Sequence, residues 1–216
     1  MTAIYTAVMG GYDDLPPHPD IPGVEFIAFT DTPQESDFWD VQLVAPQDVH
    51  PRMAAKFFKV FPNLVLPEHE HTVWIDSSHE ISTPDFAVLT ISSIGESNMA
   101  LFEHPWRTCI YDEAKASLPL KKYKGEPIEE QIASYRAEGH PEKWGLFACG
   151  TLARRQCASV DRLMAAWWDE ITAWSYQDQL SLPVVCRRQG VRPETFPIHQ
   201  VNGNRWHTIR PHHRED

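Results

Sequence analysis

Short apolar runs bounded by turn residues mark the first half of the chain. Ala3–Met9 reads as a buried strand running into Gly10-Gly11-Tyr12-Asp13-Asp14, and Glu25–Phe29 reads as a second strand ending in Thr30-Asp31. Val41–Val44, Thr72–Ile75 and Met99–Phe102 have the same character, and Leu146–Ala148 with Thr151–Leu152 gives two further strand pieces around Gly150. Between these runs the period changes. Pro51–Phe61 is predicted as a helix that starts on Pro51 and is stopped by Pro62, with Met53, Phe57, Val60 and Phe61 facing the core. Pro127–Glu138, with Gly139 just past its end, is predicted as another, carrying Ile128, Ile132 and Tyr135 on one face. Val160, Leu163, Met164, Trp167, Ile171 and Trp174 give the clearest helical period. A last helix is expected between Asp178 and Gln189, beginning late because Pro183 lacks an amide hydrogen and ending at Gly190. Residues 1–206 are expected to form one domain and 207–216 a frayed polar tail. Strands alternating with helices predict an α/β fold with a mixed, mostly parallel sheet flanked by helices.

Composition narrows the function classes. The 216 residues are 42% hydrophobic and 23% charged, ordinary for a globular domain with a substantial core. No apolar run is long enough for a transmembrane segment. The start, Met1-Thr2-Ala3-Ile4, lacks the basic region of a secretory signal. Cys109, Cys149, Cys157 and Cys186 are too widely spaced for a paired zinc site and read as mostly buried, reduced thiols, so the expected location is cytoplasmic. The net charge is −11, which argues against nucleic acid as a partner. The charge is uneven. Only three of the 19 Lys and Arg residues, Arg52, Lys56 and Lys59, fall in the first hundred positions, against 15 of the 30 acids.

That imbalance directs attention to particular side chains. A spacing of four and then three puts Arg52, Lys56 and Lys59 on one helix face, poised to bind phosphate or to remain a solvated face. The next strand ends in Asp76-Ser77-Ser78-His79, where ligands meet open α/β sheets. One carboxylate there is enough to help hold a divalent ion on a diphosphate. Gly10 and Tyr12 lie in a turn that either lets a ligand approach the backbone or is a plain turn, and Asp31 ends the second strand, where an acid either contacts a nucleoside or simply forms the turn. His104-Pro105-Trp106-Arg107 joins a stacking ring to a bidentate cation, suited either to an acceptor or to a structural ion pair. Asp178 is placed to cap a helix. The segment from His199 to Trp206 offers an imidazole and the cation Arg205.

In this order the pieces resemble the glycosyltransferases of A-type fold, the single-domain Rossmann-like class. More narrowly, they are similar to a family of bacterial and plant proteins, once of unknown function, that is grouped with the glycosyltransferases, and more distantly to retaining enzymes of the glycogenin and galactosyltransferase type. The resemblance covers roughly residues 3–206. It implies that Asp76 is the first acid of an Asp-X-Asp metal motif, with Ser78 standing in place of the second. Gly150 matches the glycine of an Asn-Ala-Gly turn in which Ala148 replaces asparagine. Asp178-Gln179 matches an Asp-Gln pair near the acceptor. His199 to Trp206 is similar to a His-x-x-Gly-x-x-Lys-Pro-Trp element, with the glycine one residue late, Arg205 in the lysine role and the proline missing.

The function so implied is transfer of a sugar from a nucleoside-diphosphate sugar to a hydroxyl of a glycan or other acceptor, with retention and with Mn²⁺ or Mg²⁺. Asp178 and Gln179 would be catalytic. Gly10, Tyr12, Asp31, Lys56, Asp76, Ser78 and Arg205 would bind the donor, and His104, Trp106 and Arg107 the acceptor. Asp76, Ser78 and His199 would hold the metal. A metal-dependent hydrolase and an inactive carbohydrate- or nucleotide-binding domain are the rival readings.

Overall fold

The computed structural model describes residues 1–200 and 203–211. Its seven-stranded sheet has the order β3-β2-β1-β4-β7-β6-β8, with β1 Thr2–Val8, β2 Val24–Thr30, β3 Asp40–Leu43, β4 His71–Ile75, β6 Met99–Glu103, β7 Phe147–Arg155 and β8 Glu194–Thr195. Only β7 runs antiparallel to its neighbours, β4 and β6. The chain moves outward from β1 through β2 to β3, then crosses back to place β4 on the other side of β1. The carboxyl ends of β1 and β4 therefore flank a point where strand order reverses, the place where such sheets open a crevice.

Period-two alternation divides each strand between two cores. Ala3, Tyr5 and Ala7 of β1 join Trp74, Leu152 and Leu101 beneath α1 Pro51–Val60, α6 Ala158–Ala173 and α7 Asp178–Arg188. Ile4, Val73, Ile75, Ala100 and Ala153 face the other way, onto α3 Phe86–Ile91 and the side chains of Phe196 and Trp206. A third cluster joins α4 Ile110–Ser117 and α5 Ile128–Ala137 to Leu180 and Val184 of α7. The fold is thus a single α/β domain with a mixed, mostly parallel sheet flanked by helices, as the alternation predicts.

Several local expectations change. Phe58, not Phe57, takes the fully buried position on α1, with Phe57 and Phe61 packed at the margin against Trp168. Pro62 does stop α1 but also opens a further short turn of helix, α2 Pro62–Val65. The two strand pieces around Gly150 are one nine-residue strand. The last helix starts at Asp178 and carries Pro183 inside it, so Pro183 leaves the Gln179 carbonyl without its usual helical donor. The chain also continues past residue 206. His207–Ile209 forms β9, which pairs antiparallel with β5 His79–Ile81, and His207 is fully buried. Val201, Asn202 and positions 212–216 of the tail lie outside the described residues.

Candidate active site

A cavity of about 380 Å³ opens at the strand-order reversal. Its floor is formed by Met9 at the end of β1, Trp74 and Asp76 at the end of β4, and Cys149-Gly150 of β7. α1 closes one wall with Arg52, Lys56 and Lys59, which share that side of the helix as their spacing requires. Pro51 at the first helical position and the His50 ring, which accepts from the Arg52 amide at 3.3 Å, fix where α1 begins. The Tyr5 hydroxyl donates to the Lys59 carbonyl at 3.1 Å and accepts from the buried Arg154 guanidinium, tying α1 to β1 and β7.

The centre of the cavity is an ion triad. Lys56 Nζ and Lys59 Nζ each donate to Asp178 Oδ2 at 2.7 Å. Asp178 Oδ1 has no hydrogen-bond partner among the described residues. Burial alone would raise the Asp178 pKa, but the two ammonium groups overcome it and hold the carboxyl well below the ordinary range. Lys59 is itself 3% exposed. Burial opposes its charge, yet Asp178 and Asp76 raise its pKa above the usual lysine value. Its ammonium lies 5.9 Å from the ring centres of both Trp74 and Trp167. Asp178 is the first residue of α7 and follows the cap position, so its carboxylate is turned to the lysines rather than spent on capping.

Asp76 sits beside this triad. Its Oδ1 accepts from Trp74 Nε1 at 2.6 Å and lies 3.8 Å from Lys59 Nζ. Its amide donates to the Gly150 carbonyl at 2.8 Å, which pins the strand end. Ser77 donates to the buried Asp13 at 2.7 Å, joining the loops after β4 and β1. The Ser78 hydroxyl contacts His79 Nδ1 at 3.3 Å, and His79 Nε2 meets Gln200 at 2.7 Å. The Arg210 amide donates to the Ser78 carbonyl at 2.6 Å, so the C-terminal segment braces this loop from behind.

The opposite wall comes from the middle of the chain. Arg107 Nε donates to Glu113 Oε2 at 2.5 Å, and Gln177 donates to Glu113 Oε1 at 3.0 Å. Gln177 in turn accepts from Tyr123 at 2.8 Å. Arg52 crosses the mouth to Tyr12, donating to its hydroxyl at 2.6 Å, and Lys122 lies alongside.

Of the residues expected from sequence, Tyr12, Lys56, Asp76, Ser78, Arg107, Asp178 and Gln179 line this one cavity. The others stand elsewhere. Gly10, at φ 64°, donates its amide to Asp31 Oδ1 at 2.7 Å, so this pair shapes the β1 turn instead of lining the cavity. His104 is buried behind Arg107, its Nδ1 accepting from the Arg107 amide at 3.1 Å, and burial lowers its pKa against the pull of Glu113. Trp106 is 75% exposed and outside the cavity. His199 and Arg205 are exposed and outside it as well. Arg52, Lys59, Asp13, Glu113, Lys122, Tyr123 and Tyr176 also line the cavity, although the sequence did not assign them to the site. The basic face of α1 pointed to the first two. Asp13 and Tyr176 lie in turns, Glu113 in α4, and Lys122 and Tyr123 in a 3₁₀ turn, and no local pattern in the sequence brings them together.

A family model described as TOD1/MUCI70, glycosyltransferase-like domain, matches residues 29–202. The chain belongs to this glycosyltransferase-like family. No curated protein matches it. The family match takes in α1, Asp76, Arg107 and Asp178, so most of the cavity wall lies inside the glycosyltransferase-like domain; the β1 turn precedes it and Arg205 follows it. Among the described residues no three His, Cys, Asp or Glu side chains gather as a metal site, and no helix is long and apolar enough to cross a membrane. The donor set toward a divalent ion is therefore narrow. Asp76 offers Oδ2, which carries no hydrogen bond among the described residues, and Ser78 a hydroxyl. That set fits a hard cation held by one carboxylate and completed by oxygens of a bound diphosphate, and it does not fit an all-protein cage.

Proposed function

We propose that this protein transfers a sugar from a nucleoside-diphosphate sugar to an acceptor hydroxyl, with retention, inside the cavity at the ends of β1 and β4. The observation that carries this reading is the concentration of Arg52, Lys56, Lys59, Arg107 and Lys122 around one small cavity in a chain of net charge −11. Breaking a glycosidic phosphate bond leaves a diphosphate bearing new negative charge and a sugar with oxocarbenium character. The cations of α1 and Lys122 stabilise the first. Asp178, kept ionised by Lys56 and Lys59, faces the second with its unengaged Oδ1 and can hold a sugar hydroxyl or the developing positive charge. Gln179 adds an amide beside it. Asp76, with Ser78, would hold Mn²⁺ or Mg²⁺, and that ion would neutralise further charge on the diphosphate. Arg107 stands on the wall across from α1, where an acceptor would approach.

The test is a thermal-shift series with nucleoside di- and monophosphates, with and without Mn²⁺. Diphosphates should raise the melting temperature more than monophosphates, and Asp76→Asn should remove the Mn²⁺-dependent part while the protein still folds. Equal shifts from the two nucleotide classes would remove the basis for a diphosphate donor.

A further inference from the structure

Gln177 occupies the cap position of α7, one residue before Asp178, and it is buried. Its backbone, at φ −75° and ψ 81°, stands outside the helix, and its side chain caps nothing. The amide is spent elsewhere. Nε2 donates to Glu113 Oε1 and to Ser117 Oγ, each at 3.0 Å, and Oε1 accepts from the Tyr123 hydroxyl at 2.8 Å. Both amide hydrogens and the oxygen are therefore engaged, by α4 on one side and by the 3₁₀ turn Lys121–Tyr123 on the other. Glu113 is anchored in turn by Arg107 Nε at 2.5 Å. A buried polar network satisfied in this way is rigid, because every displacement breaks a bond that water cannot replace.

The clamp acts on the residue that follows. Lys56 and Lys59 hold Asp178 by Oδ2 alone. Where the unengaged Oδ1 stands then depends on the direction in which the Asp178 side chain leaves the backbone. Beyond Asp178 that backbone is tied by Trp167 Nε1, which donates to the Asp178 carbonyl at 3.2 Å. Before Asp178 it is tied by the Gln177 side chain. We infer that Gln177 is a positioning residue, whose clamped amide sets where Asp178 Oδ1 meets the reacting sugar. The inference rests on the glycosyl-transfer reading above. A displacement of about 1 Å at a reacting centre is enough to cost about a hundredfold in rate.

The experiment follows consumption of the nucleoside-diphosphate sugar that the unmodified protein turns over fastest, at saturating acceptor. Turnover is counted per site that binds nucleoside diphosphate in calorimetric titration, so that unfolded protein drops out of kcat. Gln177→Leu should lower kcat by about tenfold or more, with the donor KM and nucleoside-diphosphate affinity changed by less than about twofold. Ser117 is buried outside the cavity, and its hydroxyl meets only Glu113 and Gln177 among the described residues. Ser117→Ala should therefore lower kcat in the same direction, by about threefold for one lost hydrogen bond. It should add nothing when combined with Gln177→Leu, since both act through one amide. An unchanged kcat per site in Gln177→Leu, a loss carried by KM, or additive losses in the double variant would overturn the inference. If Gln177→Leu does not fold, Ser117→Ala decides by itself: a lower kcat at unchanged KM supports the role, and an unchanged kcat overturns it. Consumption of no donor by the unmodified protein would instead contradict the glycosyl-transfer reading, and with it the positioning role.

Discussion

Lys59 and Asp178, 119 positions apart, meet at 2.7 Å in the buried floor of the cavity. One comes from the wall helix α1 and the other from the first turn of α7, so the contact joins the two helices across the sheet's carboxyl edge. Charges this deeply buried are tolerated because each satisfies the other, with Lys56 as a third member. The triad fixes the shape of the site and keeps a carboxylate ionised within it.

Asp178→Asn should therefore act on stability as well as on turnover. It leaves Lys56 and Lys59 facing each other without a counter-charge, and breaking a buried pair in this way costs about 3–5 kcal/mol. Urea unfolding should show that loss, and adding Lys59→Met should restore part of it. A variant as stable as the parent would show that the lysines find another partner or lose their protons.

Much of this architecture was legible in the chain. Strands β1, β2, β4 and β6 announce themselves by short apolar runs, and the face of α6 by its period. The basic side of α1 and the acid at the end of β4 followed from spacing alone. What was hidden is long-range or brief. Helices α3 and α4 span six and eight residues, too short to establish a period. Gly150 interrupts the apolar run of β7 and so splits one strand into two in the sequence, although its backbone is ordinary extended chain there. The burial of Lys59 and the placing of Lys122, Tyr123 and Tyr176 depend on partners fifty or more positions away, which no local pattern records.

Gly150 carries a second expectation. A Cβ added there would lie 2.7 Å from His79 Cε1 and 3.1 Å from Gln200 Nε2. Gly150→Ala should push the His79 ring from its contact with Gln200 and disturb the carbonyl that holds the Asp76 amide. Overpacking of this kind costs about 1–3 kcal/mol, read by thermal or urea unfolding. Gly139, whose Cβ would meet nothing, is the matched control, its cost arising from its positive φ alone.

The acid limb of stability should be dominated first by histidine. His207 is fully buried, and neither ring nitrogen has a hydrogen-bond partner among the described residues. Burial, with repulsion from His79, lowers its pKa to about 3, and burial with Arg187 lowers that of His140 to about 4. The unfolded chain binds these protons near pH 6.5, whereas the folded one resists them. The stability is fully present above that value and is lost as pH falls toward 4 and then 3. His207→Phe should flatten this limb between pH 6.5 and 4. The depressed pKa of Asp178 acts later, below the ordinary aspartate range near 3.9. An unchanged limb in His207→Phe would mean that the ring is already protonated in the fold.

The decisive measurement is turnover of a panel of nucleoside-diphosphate sugars, with release of nucleoside diphosphate followed in the presence and absence of an acceptor oligosaccharide. The proposed retaining transfer requires one donor to be consumed, faster with acceptor, with the sugar appearing on the acceptor in its original anomeric configuration; an inverted product would contradict the proposed retention alone. Sugar released only to water would mark a hydrolase. Tight diphosphate binding with no consumption of any donor would leave a binding domain, and would contradict the assignment of Lys56, Lys59 and Asp178 to catalysis.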